Sequence, residues 1–235
     1  LKMAAFKKTA AASYALWMLN IVVLHSVYMV GQADIIPAFF IVMALYAASK
    51  NRPYLAVTLL SAGGATKLFP YFLILPACLL LGRNWKTRFC LLFTAALAAL
   101  LVYLPFFMSS GSSVLGASLL SRNAQYSGTI KWALLGIFMI WYSFLLVNAL
   151  KDSRGLEPQA QLIYYFAVVL FVSYAAISVR FRYFVNVTPL LALLIPRHRR
   201  FGIFVSLLLL IMAFFWLPGR YAQLGLFAPL DPVYF

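Results

Sequence analysis

Hydrophobic positions in this chain come in long runs broken by short polar stretches. Cutting at the charged and Pro/Gly-rich breaks predicts apolar segments at about 10–30, 35–49, 53–66, 68–82, 89–107, 131–150, 160–179, 183–196 and 201–217. The runs are too continuous for the alternating pattern of an outer-membrane barrel, so each reads as helix. The expected fold class is all-α: a polytopic helical membrane protein with about eight to nine transmembrane or re-entrant segments. They form a single transmembrane domain over residues 1–235, with an extracytoplasmic loop at 108–130. Three of the segments are short. Fourteen helical residues rise only about 21 Å, against a hydrocarbon core of about 30 Å. Segments 53–66, 68–82 and 183–196 must therefore be broken, re-entrant or extended into their flanking turns. Broken helices are tolerated where their free backbone groups face protein or a wet cavity, and such cavities commonly bind ligands.

Composition agrees with the pattern. Hydrophobic residues make up 65% of the chain and charged residues 10%, and the mean hydropathy is +0.95, values foreign to a soluble domain of this size. The net charge of +15 does not point to nucleic acid, because the basic residues sort by side. Lys2, Lys7, Lys8, Lys50, Arg52, Arg83, Lys86, Arg88, Lys151, Arg154, Arg197, Arg199 and Arg200 fall on alternate turns, which the positive-inside rule makes cytoplasmic. Lys67, Arg122, Lys131, Arg180, Arg182 and Arg220 fall on the other turns, placing 31–34, Lys67, the 108–130 loop and the 180–182 turn on the extracytoplasmic face. Leu1 is not an initiator and no cleavable signal follows it, so the chain reads as part of a longer one.

The charges on that outer face are the candidate chemistry, since an ionisable residue in an apolar protein costs free energy and usually has a function. Lys67 follows Gly63-Gly64, which permit close helix packing or an unwound turn, and precedes Pro70, which cannot donate a backbone hydrogen bond. Its ammonium suits a phosphate equally with an ion pair to Asp34 that fixes two helix ends. Arg180 and Arg182, beside Tyr183, offer guanidinium forks suited to phosphate oxygens, or else interfacial anchors. Asp34 is the only carboxylate near these cations, so no paired-carboxylate constellation is present for acid/base chemistry. His25 and His198 lack ligand spacing, and nothing calls for a metal or a cofactor. Cys78 and Cys90 read as two buried thiols, and the sequon Asn186-Val187-Thr188 falls inside an apolar segment. Leu115, Leu119 and Leu120 have the spacing of an interfacial helix within the 108–130 loop.

Three runs carry a resemblance: Trp17-Met18-Leu19-Asn20, then Gly31-Gln32-Ala33-Asp34, then Ala62-Gly63-Gly64-Ala65-Thr66-Lys67-Leu68-Phe69-Pro70 with Pro76. Together they are similar to the middle of polyprenyl-phosphate-sugar-dependent glycosyltransferases of the GT-C superfamily, above all its mannosyltransferase branch. The later Arg180-Phe181-Arg182-Tyr183, followed by Thr188-Pro189, resembles an arginine-tyrosine turn that precedes a late helix in many such enzymes. Ile21 departs from the pattern, since many relatives have proline there.

The resemblance implies an integral membrane protein of the plasma or inner membrane, or of the endoplasmic reticulum in a eukaryote. It would be an inverting transferase that moves a sugar, mannose by this likeness, from a polyprenyl-phosphate carrier to an extracytoplasmic lipid or glycan acceptor. Its partners would be the lipid-linked donor and membrane lipids. In such enzymes the catalytic acid lies in the first outer loop, which belongs upstream of Leu1, so the catalytic residue is unknown and Asp34 is not promoted to that role. The implied lipid-phosphate site comprises Lys67, Arg182 and Arg180, with Asp34, Gln32 and Tyr183 beside them. Two other classes stay open: a non-catalytic subunit paired with a partner subunit in a larger membrane complex, and a lipid-linked sugar translocator.

Overall fold

The computed structural model describes residues 13–20, 23, 35–110, 128–152, 158–177 and 185–194. These are all-α, with no strand among the described residues. The helices are α1 (Ile35–Ser49), α2 (Pro53–Thr66), a 3-10 segment (Phe69–Leu73), α3 (Ile74–Leu81), α4 (Trp85–Ser110), α5 (Gly128–Asp152), α6 (Pro158–Ile177) and α7 (Thr188–Leu194). Residues 13–18 form a further helical stretch closing at Leu19 and Asn20, where the Asn20 amide donates to the Trp17 carbonyl at 3.2 Å. The bounds of α1 and α2 coincide with the segments expected at 35–49 and 53–66. The segment expected at 68–82 is divided, as its length required. Helix α4 continues to Ser110 and α5 starts at Gly128, so both ends of the 108–130 stretch are helical; residues 111–127, with the expected interfacial helix, lie outside the described residues.

By its contacts the chain forms two units, Leu1–Ala38 with Val179–Phe235, and Phe39–Ser178. In the first, α7 is buried from Thr188 to Ala192, and the Thr188 hydroxyl donates to the Val185 carbonyl at 2.9 Å. Asn186 and Thr188 are each 1% exposed, so the sequon is closed to modification in this fold.

In the second unit α3 is the centre. It packs against α2, α4, α5 and α6, burying Ile74, Pro76, Ala77, Cys78 and Leu80. A helix of eight residues cannot cross a bilayer, but these neighbours shield it from lipid. Helix α4 behaves in the opposite way. Its Trp85–Pro105 stretch is 21 residues with mean hydropathy 2.0, a rise of about 31 Å that matches the hydrocarbon core. Only 11% of that apolar window is buried, which distinguishes it from the core helix of a soluble protein. Phe89, Phe93, Leu97, Leu100 and Leu104 face outward, as a lipid-contacting surface requires. Cys90 is exposed on the same helix while Cys78 is buried, which corrects the expectation of two buried thiols: apolar sequence around a cysteine is compatible with lipid as well as with core.

Helix α5 shows both surfaces at once. Phe138, Tyr142, Leu145 and Ala149 are buried, whereas Ile137, Ile140 and Phe144 are 64, 74 and 66% exposed. Each set recurs at helical spacing. Four shorter apolar helical stretches, Ile35–Ser49, Phe69–Leu81, Leu135–Lys151 and Gln161–Ser173, accompany the one spanning-length stretch among the described residues.

Candidate functional site

Lys67 sits where α2 stops and the 3-10 segment has not begun. Its backbone is extended, with φ −159° and ψ 136°, and its amide donates to the Gly63 carbonyl at 3.2 Å. The Thr66 hydroxyl donates to the same carbonyl at 2.7 Å, so two donors close the end of α2. The chain then turns through Leu68 into Phe69–Leu73, where Pro70 occupies an opening position that needs no donor. The run Gly-Gly-Ala-Thr-Lys-Leu-Phe-Pro thus makes a break inside an apolar unit.

The two glycines account for how tightly the break is folded. A Cβ on Gly63 would lie 2.8 Å from the Phe40 Cβ, and one on Gly64 would lie 2.6 Å from the Tyr71 ring. Of the two uses foreseen for this pair, close packing is the one realised: α1 lies against Gly63, and the Tyr71 ring folds back over Gly64. The Tyr71 hydroxyl approaches Tyr103 of α4 without the geometry of a well-formed hydrogen bond. On the far side, the buried Tyr142 hydroxyl donates to the Phe72 carbonyl at 2.6 Å. Phe138 is edge-on to Phe72 at 5.3 Å and stacked with Tyr142 at 5.7 Å. The irregular backbone is therefore held from both sides, and a carbonyl at the break is satisfied by a side chain, as non-helical backbone at membrane depth must be.

The Lys67 side chain is half-buried, and its Nζ lies 5.9 Å from the centroid of the Phe69 ring. The end of α2 places partial negative charge beside this ammonium, and the aromatic face adds a weak attraction. Such a cation can meet an anion while keeping part of its hydration. Of the predicted site residues, Lys67 is the one the structure describes. Gln32, Asp34, Arg180, Arg182 and Tyr183 lie outside the described residues, as does the ion-pair alternative between Asp34 and Lys67. Tyr71, Tyr103 and Tyr142 were not foreseen. Tyr71 had a signal, standing next to Pro70 in the conspicuous run; Tyr142, seventy residues away in sequence, had none.

Described residues that are apolar and all-helical, with a spanning-length, outward-facing helix, fit a membrane-associated protein, and Lys67 at the helix break is its candidate anion site. Comparison with known families sharpens that class: residues 1–117 match glycosyltransferase family 87, a membrane family of the GT-C type. The matched stretch contains α1 to α4 and the whole Lys67 break. Neither the curated proteins nor the solved structures gave a match.

Proposed function

We propose that this chain is a membrane glycosyltransferase that accepts a sugar from a polyprenyl-phosphate carrier and transfers it, with inversion, to a lipid or glycan acceptor on the extracytoplasmic face. Mannose is the sugar we favour, on the likeness of the 17–80 region to the mannosyltransferase branch. The observation that carries the reading is the position of Lys67: a half-buried ammonium at a helix break, inside the stretch matched to a glycosyltransferase family. In our reading Lys67 contacts the carrier phosphate. As the sugar–phosphate bond breaks, negative charge grows on the leaving oxygen, and a cation already in place stabilises it more than it stabilises the ground state. We assign Arg182 and then Arg180 as further phosphate partners, with Tyr183, Gln32 and Asp34 supporting them. The acid/base residue is not among these.

The test is transfer by the purified full-length protein from polyprenyl-phosphate-mannose, polyprenyl-phosphate-glucose and a nucleotide-linked mannose. Turnover with the first alone, reduced at least about tenfold by Lys67→Met and by Arg182→Gln, is expected for loss of a charged contact to phosphate. Turnover with the nucleotide sugar alone, or full activity in both variants, would refute the reading.

A further inference from the structure

The opposite end of α2 holds a second cationic feature with a different construction. Helix α1 closes in a left-handed cap: Asn51 has φ +55°, its amide donates to the Ala48 carbonyl at 3.0 Å, and the Arg52 amide reaches back to the Ala47 carbonyl at 3.0 Å. This paired bonding is a Schellman motif, with Asn tolerating the left-handed position and Pro53 starting the next helix. The turn holds Lys50 and Arg52 on either side of Asn51, both exposed. Between the helices it joins lies a groove of about 430 Å³. Its walls are Met43, Ala47, Leu55 and Leu59, and its polar rim is Tyr46, Lys50 and Arg52. Lys50 Nζ stands 5.6 Å from the centroid of the Tyr46 ring.

Among the described residues no carboxylate lines the groove, so they leave its charge uncompensated from within. The next turn adds to it. Ser61 of α2 donates to the Ala95 carbonyl of α4 at 2.8 Å, while Gly64, three residues on, is covered by Tyr71, which approaches Tyr103. Contacts that climb both helices together make α4 parallel to α2, so Arg83, Lys86 and Arg88 at the start of α4 lie at the same end as Arg52. A soluble phosphate would use the cations and waste the apolar walls. A lipid uses both, because its acyl chains lie along the Leu55 and Leu59 flank while its headgroup meets the rim.

We propose that this groove is a binding site for an anionic glycerophospholipid, its phosphate held by Lys50 and Arg52 and its upper acyl chain seated against Met43, Leu55 and Leu59. The proposal is separate from the assignment of Lys67, which lies at the other end of a helix rising about 21 Å.

Binding of acyl-labelled phosphatidylglycerol to the full chain in detergent micelles, followed by fluorescence anisotropy, tests it. Phosphatidylglycerol should bind at least about tenfold more tightly than acyl-labelled phosphatidylcholine, and the double variant Lys50→Gln with Arg52→Gln should abolish that preference. The charge-preserving pair Lys50→Arg with Arg52→Lys should stay within about threefold of the parent, and Leu59→Trp, which fills the groove, should weaken both lipids. Lys67→Gln should leave phosphatidylglycerol binding unchanged. The proposal fails if the two lipids bind alike, if the double variant retains the preference, if Lys67→Gln removes it, or if inorganic phosphate displaces the lipid completely, which would make this a soluble-anion site. If the double variant loses its thermal transition, the single variants carry the test, and each should lose part of the preference.

Discussion

The two ends of α2 are built from the same residue types and reach opposite outcomes. Each places a lysine near a proline at the junction of two apolar helices. At the Arg52 end the chain completes a regular cap, all the turn amides find carbonyls of α1, and the cations stand at the surface. At the Lys67 end the next element starts as a 3-10 segment, and the junction is clamped by Phe40, Tyr71 and Tyr142. The difference lies in what approaches the backbone. Gly63 and Gly64 admit an aromatic ring and a neighbouring helix, whereas Asn51 only reverses the chain. The cations at the closed turn stand exposed, and the cation at the packed break is held half-buried.

That contrast can be broken at the glycines, where the largest effect is expected. Gly64→Leu drives a side chain into the Tyr71 ring and should lower stability by about 3 kcal/mol, the cost of severe overpacking. Thermal unfolding in detergent should show it, with Gly136→Ala, whose added Cβ meets nothing within 4 Å, as the tolerant control. If Gly64→Leu unfolds like the parent, the break is not clamped. Next, Lys67→Met should raise the transfer barrier by about 2 kcal/mol while leaving the thermal midpoint near that of the parent. Lys86→Gln, an exposed cation at the opposite end, should alter neither quantity, and equal losses in both variants would mean that general basicity matters and the break does not.

A smaller effect is expected of Tyr142→Phe. It strands the Phe72 carbonyl and should cost roughly 1.5 kcal/mol of stability, with activity falling further if the break is displaced; a stability unchanged within error would show that the 2.6 Å bond is replaceable. The smallest effect is sought at the other end. Asn51→Ala should cost about 1 kcal/mol because alanine tolerates the left-handed position poorly, and Asn51→Gly should restore the parent midpoint. Rescue by glycine would establish that Asn51 acts through its backbone conformation, and its failure would point to the side chain instead.

By itself the sequence determined the helical class, the limits of α1 and α2, and the interruption at Lys67. Each followed from punctuation: Lys50-Asn51-Arg52-Pro53 ends one helix and starts another, and Lys67 with Pro70 ends that second helix. Cys90 shows where such reading stops. In a bilayer the surface facing lipid and the surface facing protein are both apolar, so hydropathy along α4 or α5 does not tell Phe93 from Leu91, or Ile140 from Phe138. Only the tertiary structure decided that the eight-residue α3 is the centre of its unit and the longest apolar helix lies at its edge. It also decided that Tyr142 satisfies the carbonyl at the break. Local sequence fixes where a backbone must bend, but the partner that makes the bend stable comes from a helix seventy residues away, and nothing in the bend's own residues encodes it.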